Sequence, residues 1–183
     1  MKSNNYVLYI EGTPDDTNGD LRQGFSSLLS QELEGNMPRI IMADGKSQAI
    51  NKFKRPMPNH NPLLIVDLDN PEAYKQSILK EVELETLSKK VFFMVQEMEA
   101  WFISQPQILD SFYSHKVSSK IKRKPAEYED PSGDLKKWTK NLAKKERYHK
   151  VRHGVPLLKL LNLNDLMKQF DDVNDLIITL KRG

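Results

Sequence analysis

Five acids in this chain stand where chemistry is usually done. Glu11 follows the apolar run Tyr6-Val7-Leu8-Tyr9-Ile10 and precedes Gly12, Asp67 and Asp69 follow Leu63-Leu64-Ile65-Val66, and Glu97 and Glu99 follow Val91-Phe92-Phe93-Met94-Val95. Side chains alternate along an extended segment, so Asp67 and Asp69 share one side, and so do Glu97 and Glu99. Gathered carboxylates repel and raise one another's pKa unless a cation neutralises them. Such a cluster implies a bound divalent ion, and oxygen-only ligands in a chain without cysteine point to Mg²⁺ or Mn²⁺. Structural roles compete with this reading. Asp69 precedes Asn70-Pro71 and can form a turn, while Glu97 and Glu99 can be the polar first turn of a helix. Glu11 has no cap to make, and Gly12 allows close approach of a ligand to the backbone.

These acids need a scaffold that brings three strand ends to one edge. Four short apolar runs, Tyr6 to Ile10, Arg39 to Ala43, Leu63 to Val66 and Val91 to Val95, read as buried strands and alternate with helical segments. Asp20 can cap a helix carrying Leu21, Phe25, Leu28, Leu29 and Leu33. Gly45 to Phe53 reads as a shorter helix, and Pro71-Glu72 opens another with Tyr74, Ile78 and Leu79. The pattern predicts an α/β fold with a mostly parallel four-stranded sheet flanked by helices, and ligands bind such sheets beyond the strand carboxyl ends.

Beyond residue 104 the character changes to a basic, helical C-terminal extension. Residues 1–104 read as the α/β core and 105–183 as an extension packed on it, in a single globular unit. Glu99 to Ser104 and Gln107 to Tyr113 read as helices broken at Pro106, and Ser114 to Gly133, with no apolar period, as a mobile loop. Asp134 is expected to cap a Lys-rich helix to about Glu146. Helices over Val155–Leu161, with Leu157, Leu158, Leu160 and Leu161 on its apolar face, and Asn164–Leu180 would close the chain.

Composition limits the alternatives. With 38% hydrophobic and 29% charged residues in 183, the chain can bury a core. No apolar run reaches the roughly 18 residues of a membrane span, and no cleavable signal precedes the first strand, so a soluble cytoplasmic protein without membrane association is expected. Zero cysteines exclude disulfides, thiolate metal sites and cysteine nucleophiles. Between Lys116 and Arg152, 13 Lys/Arg stand against five acids, about +8, whereas 15 basic and 20 acidic residues elsewhere give about −5. A nucleic-acid partner and a solvated lysine-rich surface both fit that imbalance.

Glu11-Gly12 after the first strand, followed by Asp67-Leu68-Asp69 after the third, resembles the Toprim signature of topoisomerases, primases and the overcoming-lysogeny-defect nucleases. The stretch Val95-Gln96-Glu97-Met98-Glu99-Ala100-Trp101 resembles the hallmark of a Toprim-like domain-of-unknown-function family, number 4276, whose members are about this size. That resemblance implies a Mg²⁺- or Mn²⁺-dependent nuclease hydrolysing phosphodiesters of DNA or RNA. Glu11, Asp67 and Asp69 would be the principal metal ligands. Asp15 would serve a second metal, its shorter side chain departing from the family's Glu, and Glu97 or Glu99 would be a ligand or water-orienting base. Asp69-Asn70-Pro71-Glu72 replaces the topoisomerase continuation and argues against a tyrosine mechanism. Lys150, in the run Arg147-Tyr148-His149-Lys150-Val151-Arg152, is the best candidate to face the scissile phosphate. Lys144, Lys145, Arg147, His149, Lys150 and Arg152 would form the nucleic-acid-binding face.

His149 and His153 stand four apart, but Gly154 and Pro156 make a continuous helix there unexpected, and no histidine spacing builds a zinc site. Without a Walker loop the chain supplies no ATPase, and the resemblance implies an ABC-type or AAA ATPase partner in phage defence. Two rival functions are a non-catalytic Toprim-like module that binds nucleic acid or a partner, and a haloacid-dehalogenase-type phosphatase with Asp67 as nucleophile. Two features disfavour the phosphatase: its motif normally sits on the first strand, and Pro71 stands where its Thr is expected.

Overall fold

The computed structural model describes residues 5–12 and 21–182. Four strands, β1 (Tyr6–Ile10), β2 (Arg39–Met42), β3 (Asn61–Asp67) and β4 (Val91–Met94), form one sheet in the order β2-β1-β3-β4. All three pairings are parallel, with Ile10 opposite Met42 and Ile65, and Asp67 opposite Met94. Every carboxyl end therefore reaches the same edge, as the α/β reading requires.

Alternation along the central strands fills two cores. Val7, Tyr9, Leu64 and Val66 point to one face with Ala49 and Phe53 of α2 (Lys46–Lys54) and Leu79 of α3 (Lys75–Glu81). Leu8, Ile10, Leu63 and Ile65 point to the other, with Phe25 and Leu28 of α1 (Leu21–Leu29) and Leu157 and Leu158 of α7 (Lys150–Leu160). Asp67 continues the Leu63, Ile65 series, so its side chain turns toward the face covered by α1 and α7. Those helices touch at Gly24, where a Cβ would lie 2.8 Å from Leu158 Cδ1. This second core also gathers residues of α4 (Glu99–Ile103), α5 (Pro106–Tyr113), α6 (Pro131–Trp138), α8 (Leu163–Gln169) and α9 (Asp171–Lys181), so the C-terminal extension completes the core.

Several expectations are corrected. The stretch from Ser114 to Gly133 is built, with two 3₁₀ turns, Val117–Lys120 and Pro125–Glu127. Polar anchors replace an apolar period: the Asp110 carboxylate accepts from Ser118 N (2.7 Å) and its hydroxyl (2.6 Å), and Tyr128 OH accepts from Lys122 N (2.7 Å) and Arg123 N (3.1 Å). The cap of α6 is Asp130, which accepts from Gly133 N at 2.8 Å, rather than Asp134, because Pro131 takes the first helical position. That helix ends at Trp138, where buried Thr139 accepts Tyr148 N at 2.8 Å and draws the chain back. Helix α7 runs from Lys150 through Gly154 and Pro156; Pro156 forgoes only a bond to the carbonyl of Arg152, an exposed residue. Leu160 is 51% exposed and Tyr74 53%, so neither joins the core. Phe170, extended, divides the expected last helix into α8 and α9. Asp20, the expected cap of α1, and Asp15 lie outside the described residues.

Candidate active site at the carboxyl edge of the sheet

Glu11 leaves β1 with its backbone N–H donated to Ile65 O at 3.1 Å, which holds it beside the end of β3. Its Oε2 accepts the backbone N–H of Asp67 at 3.0 Å. Asp67 Oδ1 accepts Met98 N at 2.8 Å, so the loop after β4 fixes the second carboxylate. Both acids line a cavity of about 160 Å³ together with Gly12, Gly45, Met98 and Lys150.

The cation among these acids arrives from α7. Lys150 Nζ lies 3.3 Å from Asp67 Oδ2 and 3.5 Å from Glu99 Oε2. Glu99 is wholly buried; its Oε1 accepts the Tyr148 hydroxyl at 2.6 Å, and among the described residues Oε2 has no hydrogen-bond donor and faces the charge of Lys150. Glu99, with Tyr148, thus holds the ammonium against Asp67.

The other expected acids turn elsewhere. Asp69 pairs with Lys46 at 2.8 Å and is not part of the cavity lining. Glu97 Oε2 accepts Ser132 N at 3.1 Å, docking the first turn of α6 beside the acid edge. Each strand is followed, two residues on, by a residue at positive φ: Gly12 (147°), Asp44 (30°), Asp69 (57°) and Gln96 (60°). Three of these are not glycine, a conformation costing about 1 kcal/mol each. Two are laced across the loops, with Asp69 N donating to Gln96 O at 2.7 Å and Gln96 N to Asn70 O at 3.4 Å.

Electrostatics mark the same place. Burial pushes the Asp67 carboxyl up to about 7, Lys150 opposes the shift, and Glu11 and Glu99 add to it. Burial likewise raises Glu11, against the Asp67 N–H, with Asp69 adding repulsion. Glu97 is raised by burial and then by Glu99. Burial opposes the charge of Lys150, but Asp67, Glu99 and Glu97 outweigh it and hold the ammonium above the ordinary lysine range. Among the described residues, the acids of this edge outnumber the two lysines that answer them, Lys150 and Lys46, the condition in which a bound cation is favourable.

Among the described residues no three His, Asp or Glu side chains are arranged to hold a metal ion. Mg²⁺, however, is commonly held by one or two carboxylates with water and phosphate oxygens completing its shell. Glu11 and Asp67 meet that requirement: both are oxygen donors, both are raised by burial, and they line one open cavity. The donor set fits a hard divalent ion through this pair.

Of the expected basic face, Lys150 belongs to the acid cluster. Arg147 Nε donates to Leu142 O at 3.1 Å and an Arg152 guanidinium nitrogen to Lys145 O at 3.0 Å, so both brace the 139–149 turns. His149 caps α7, its Nδ1 accepting Arg152 N at 3.4 Å. Lys144 and Lys145 are exposed. His153 is buried, 3.2 Å from Tyr113 OH, and burial holds it below the usual histidine range. Sequence reasoning missed Lys46, Tyr148 and Ser132. Lys46 was within reach of the strand-end rule, since it lies four residues past β2.

Fold and site define an all-parallel α/β protein with an acid edge answered by one lysine from its C-terminal extension. Residues 13–181 match the family described as a domain of unknown function (DUF4276), and the chain belongs to that family. No curated protein and no solved structure matches it. No helix among the described residues is long and apolar enough to cross a membrane.

Proposed function

We propose that this protein is a divalent-metal-dependent nuclease that hydrolyses phosphodiesters of DNA or RNA in the cytoplasm, as the effector of a phage-defence system with an ATPase partner. The observation that carries the chemistry is the convergence of Glu11, Asp67 and Lys150 on one cavity, with the lysine 3.3 Å from Asp67. Glu11 and Asp67 would hold Mg²⁺ or Mn²⁺. The ion, when bound, supplies charge that favours attack of water on phosphorus. Lys150 neutralises the phosphate oxygen that gains charge, and Glu99 with Tyr148 keeps its ammonium aimed at the cavity. The resemblance to Toprim nucleases and the positive segment between Lys116 and Arg152 support the same reading.

The test incubates purified protein with Mn²⁺ or Mg²⁺ and plasmid, single-stranded DNA, tRNA or total RNA, alongside Asp67→Ala. Cleavage by wild type and none by the variant is expected. Binding without cleavage, equal in both proteins with and without the ATPase partner, would replace the nuclease with a binding module.

A further inference from the structure

A second cavity lies on the built basic segment. It has a volume of about 220 Å³ and is lined by Lys120, Lys122, Arg123, Tyr128, Asp134 and Trp138. Three cations face one acid. Among the described residues no carboxylate lies within salt-bridge distance of these three, although Arg123 acts on Asp134 through its charge. Buried Tyr128 organises the place twice over. Its hydroxyl accepts the backbone N–H groups of Lys122 and Arg123, and its ring meets Trp138 edge to face, centroids 5.4 Å apart. Trp138 is left half-buried at the end of α6.

We infer that this cavity is a subsite for an unpaired nucleotide of a single polynucleotide strand, the base against Trp138 and the flanking phosphates against Lys120, Lys122 and Arg123. An aromatic face beside unneutralised cations is the pairing that single-strand binders use, because every base stacks while every backbone carries negative charge. A duplex keeps its bases stacked inside and offers Trp138 nothing. The position relative to the acid edge agrees. Ser132, in the first turn of α6, donates to Glu97, and Trp138 follows six residues later, about 9 Å of helix rise. A strand running from Trp138 along α6 would come to Ser132, and so to Glu97 of the acid edge, within about three stacked nucleotides. Asp134, between the two, offers an acceptor to a base amino group. The inference rests on the nuclease reading for its purpose and not for its test.

The experiment measures binding of fluorescent single-stranded DNA and RNA oligonucleotides, and of the matching duplexes, in chelator without divalent ions, while following tryptophan emission. Wild type is expected to prefer single strands and to lose emission on binding. Trp138→Ala should weaken single-strand binding about tenfold, whereas Trp138→Phe should keep most of the affinity and lose the emission change, since Trp101 is buried. Arg123→Ala, at an exposed position that the fold does not need, should weaken binding and flatten its salt dependence. Affinity unchanged in Trp138→Ala or in Arg123→Ala, or an emission change that persists in Trp138→Phe, would overturn the subsite. If the variants behave as expected while wild type cleaves nothing with Mn²⁺, with or without the ATPase partner, the nuclease reading fails and the subsite stands. Cleavage with Trp138→Ala binding like wild type means the reverse.

Discussion

The carboxylate of Glu11 is tied to the main chain of Asp67, Oε2 to N at 3.0 Å, across the junction between β1 and β3. Neither residue can shift without the other, so the two acids enter the cavity as one unit. One Glu11 oxygen is committed to that bond, leaving Oε1 to meet a ligand.

Glu11→Gln separates the two duties. Its amide oxygen can still accept the Asp67 N–H, but the charge is gone. The variant should fold and be at least as stable as wild type, bind Mn²⁺ at least tenfold more weakly by calorimetry, and fail to cleave. Undiminished Mn²⁺ binding would remove Glu11 from the metal site.

Asp67 makes stability depend on pH in a definite sense. Its folded pKa of about 7 lies above the ordinary 3.8, so between those values the native state keeps a proton that the unfolded chain has lost. Its contribution to stability therefore falls as pH rises from about 4 through 7. Glu11 and Glu97, also raised, act in the same direction. Without divalent ions, Asp67→Asn should match wild type near pH 4 and exceed it by about 2 kcal/mol at pH 8. Denaturant unfolding across that range measures the difference, and a constant gap between the two proteins would contradict the raised pKa.

Lys150→Met tests whether the ammonium acts on the rate. A charge aimed at the transition state should lower turnover at saturating substrate about a hundredfold with little change in KM. Lys144→Ala, exposed and away from the acids, should change affinity alone. Should Lys150→Met and Lys144→Ala behave identically in steady-state kinetics, Lys150 is an ordinary backbone contact.

Tyr148→Phe deletes the donor to Glu99 Oε1 and leaves a wholly buried carboxylate facing only Lys150. An unmade bond to a buried charge costs about 2 kcal/mol. Urea unfolding should show that loss, and adding Glu99→Gln should recover part of it by removing the charge. Full stability in Tyr148→Phe would mean that the Tyr148 hydroxyl does not support Glu99.

How much of this was legible depends on where the information lies. β1 was readable to the residue because Tyr6 to Ile10 is apolar on both faces and bounded by Asn5 and Glu11. The same alternation told that Asp67 and Asp69 leave on one side. It could not tell that Asp69, at positive φ past the strand end, turns to Lys46 instead. The segment from Ser114 to Gly133 read as mobile because apolar periodicity reports packing, whereas its order comes from Asp110 and Tyr128 bonding to backbone five to eight residues away. Lys150 was found as a type of residue needed near phosphate, but its place against Asp67 depends on α7 lying along α1, which no local pattern encodes.

The distance in sequence between Asp67 and Lys150 has a consequence for how the protein is made. They are 83 residues apart, so at about 5–20 residues per second synthesis separates them by roughly 4–17 s. During that interval the nascent sheet carries acids without their lysine, and Leu8, Ile10 and Phe92 without the Leu157 and Leu158 that cover them. Chains stalled before Lys150 should stay sensitive to protease on the ribosome and become resistant only when α7 has emerged. The lysine that answers Asp67 thus belongs to a helix that covers the core, so an acidic edge with that counter-charge in place also reports that α7 has docked.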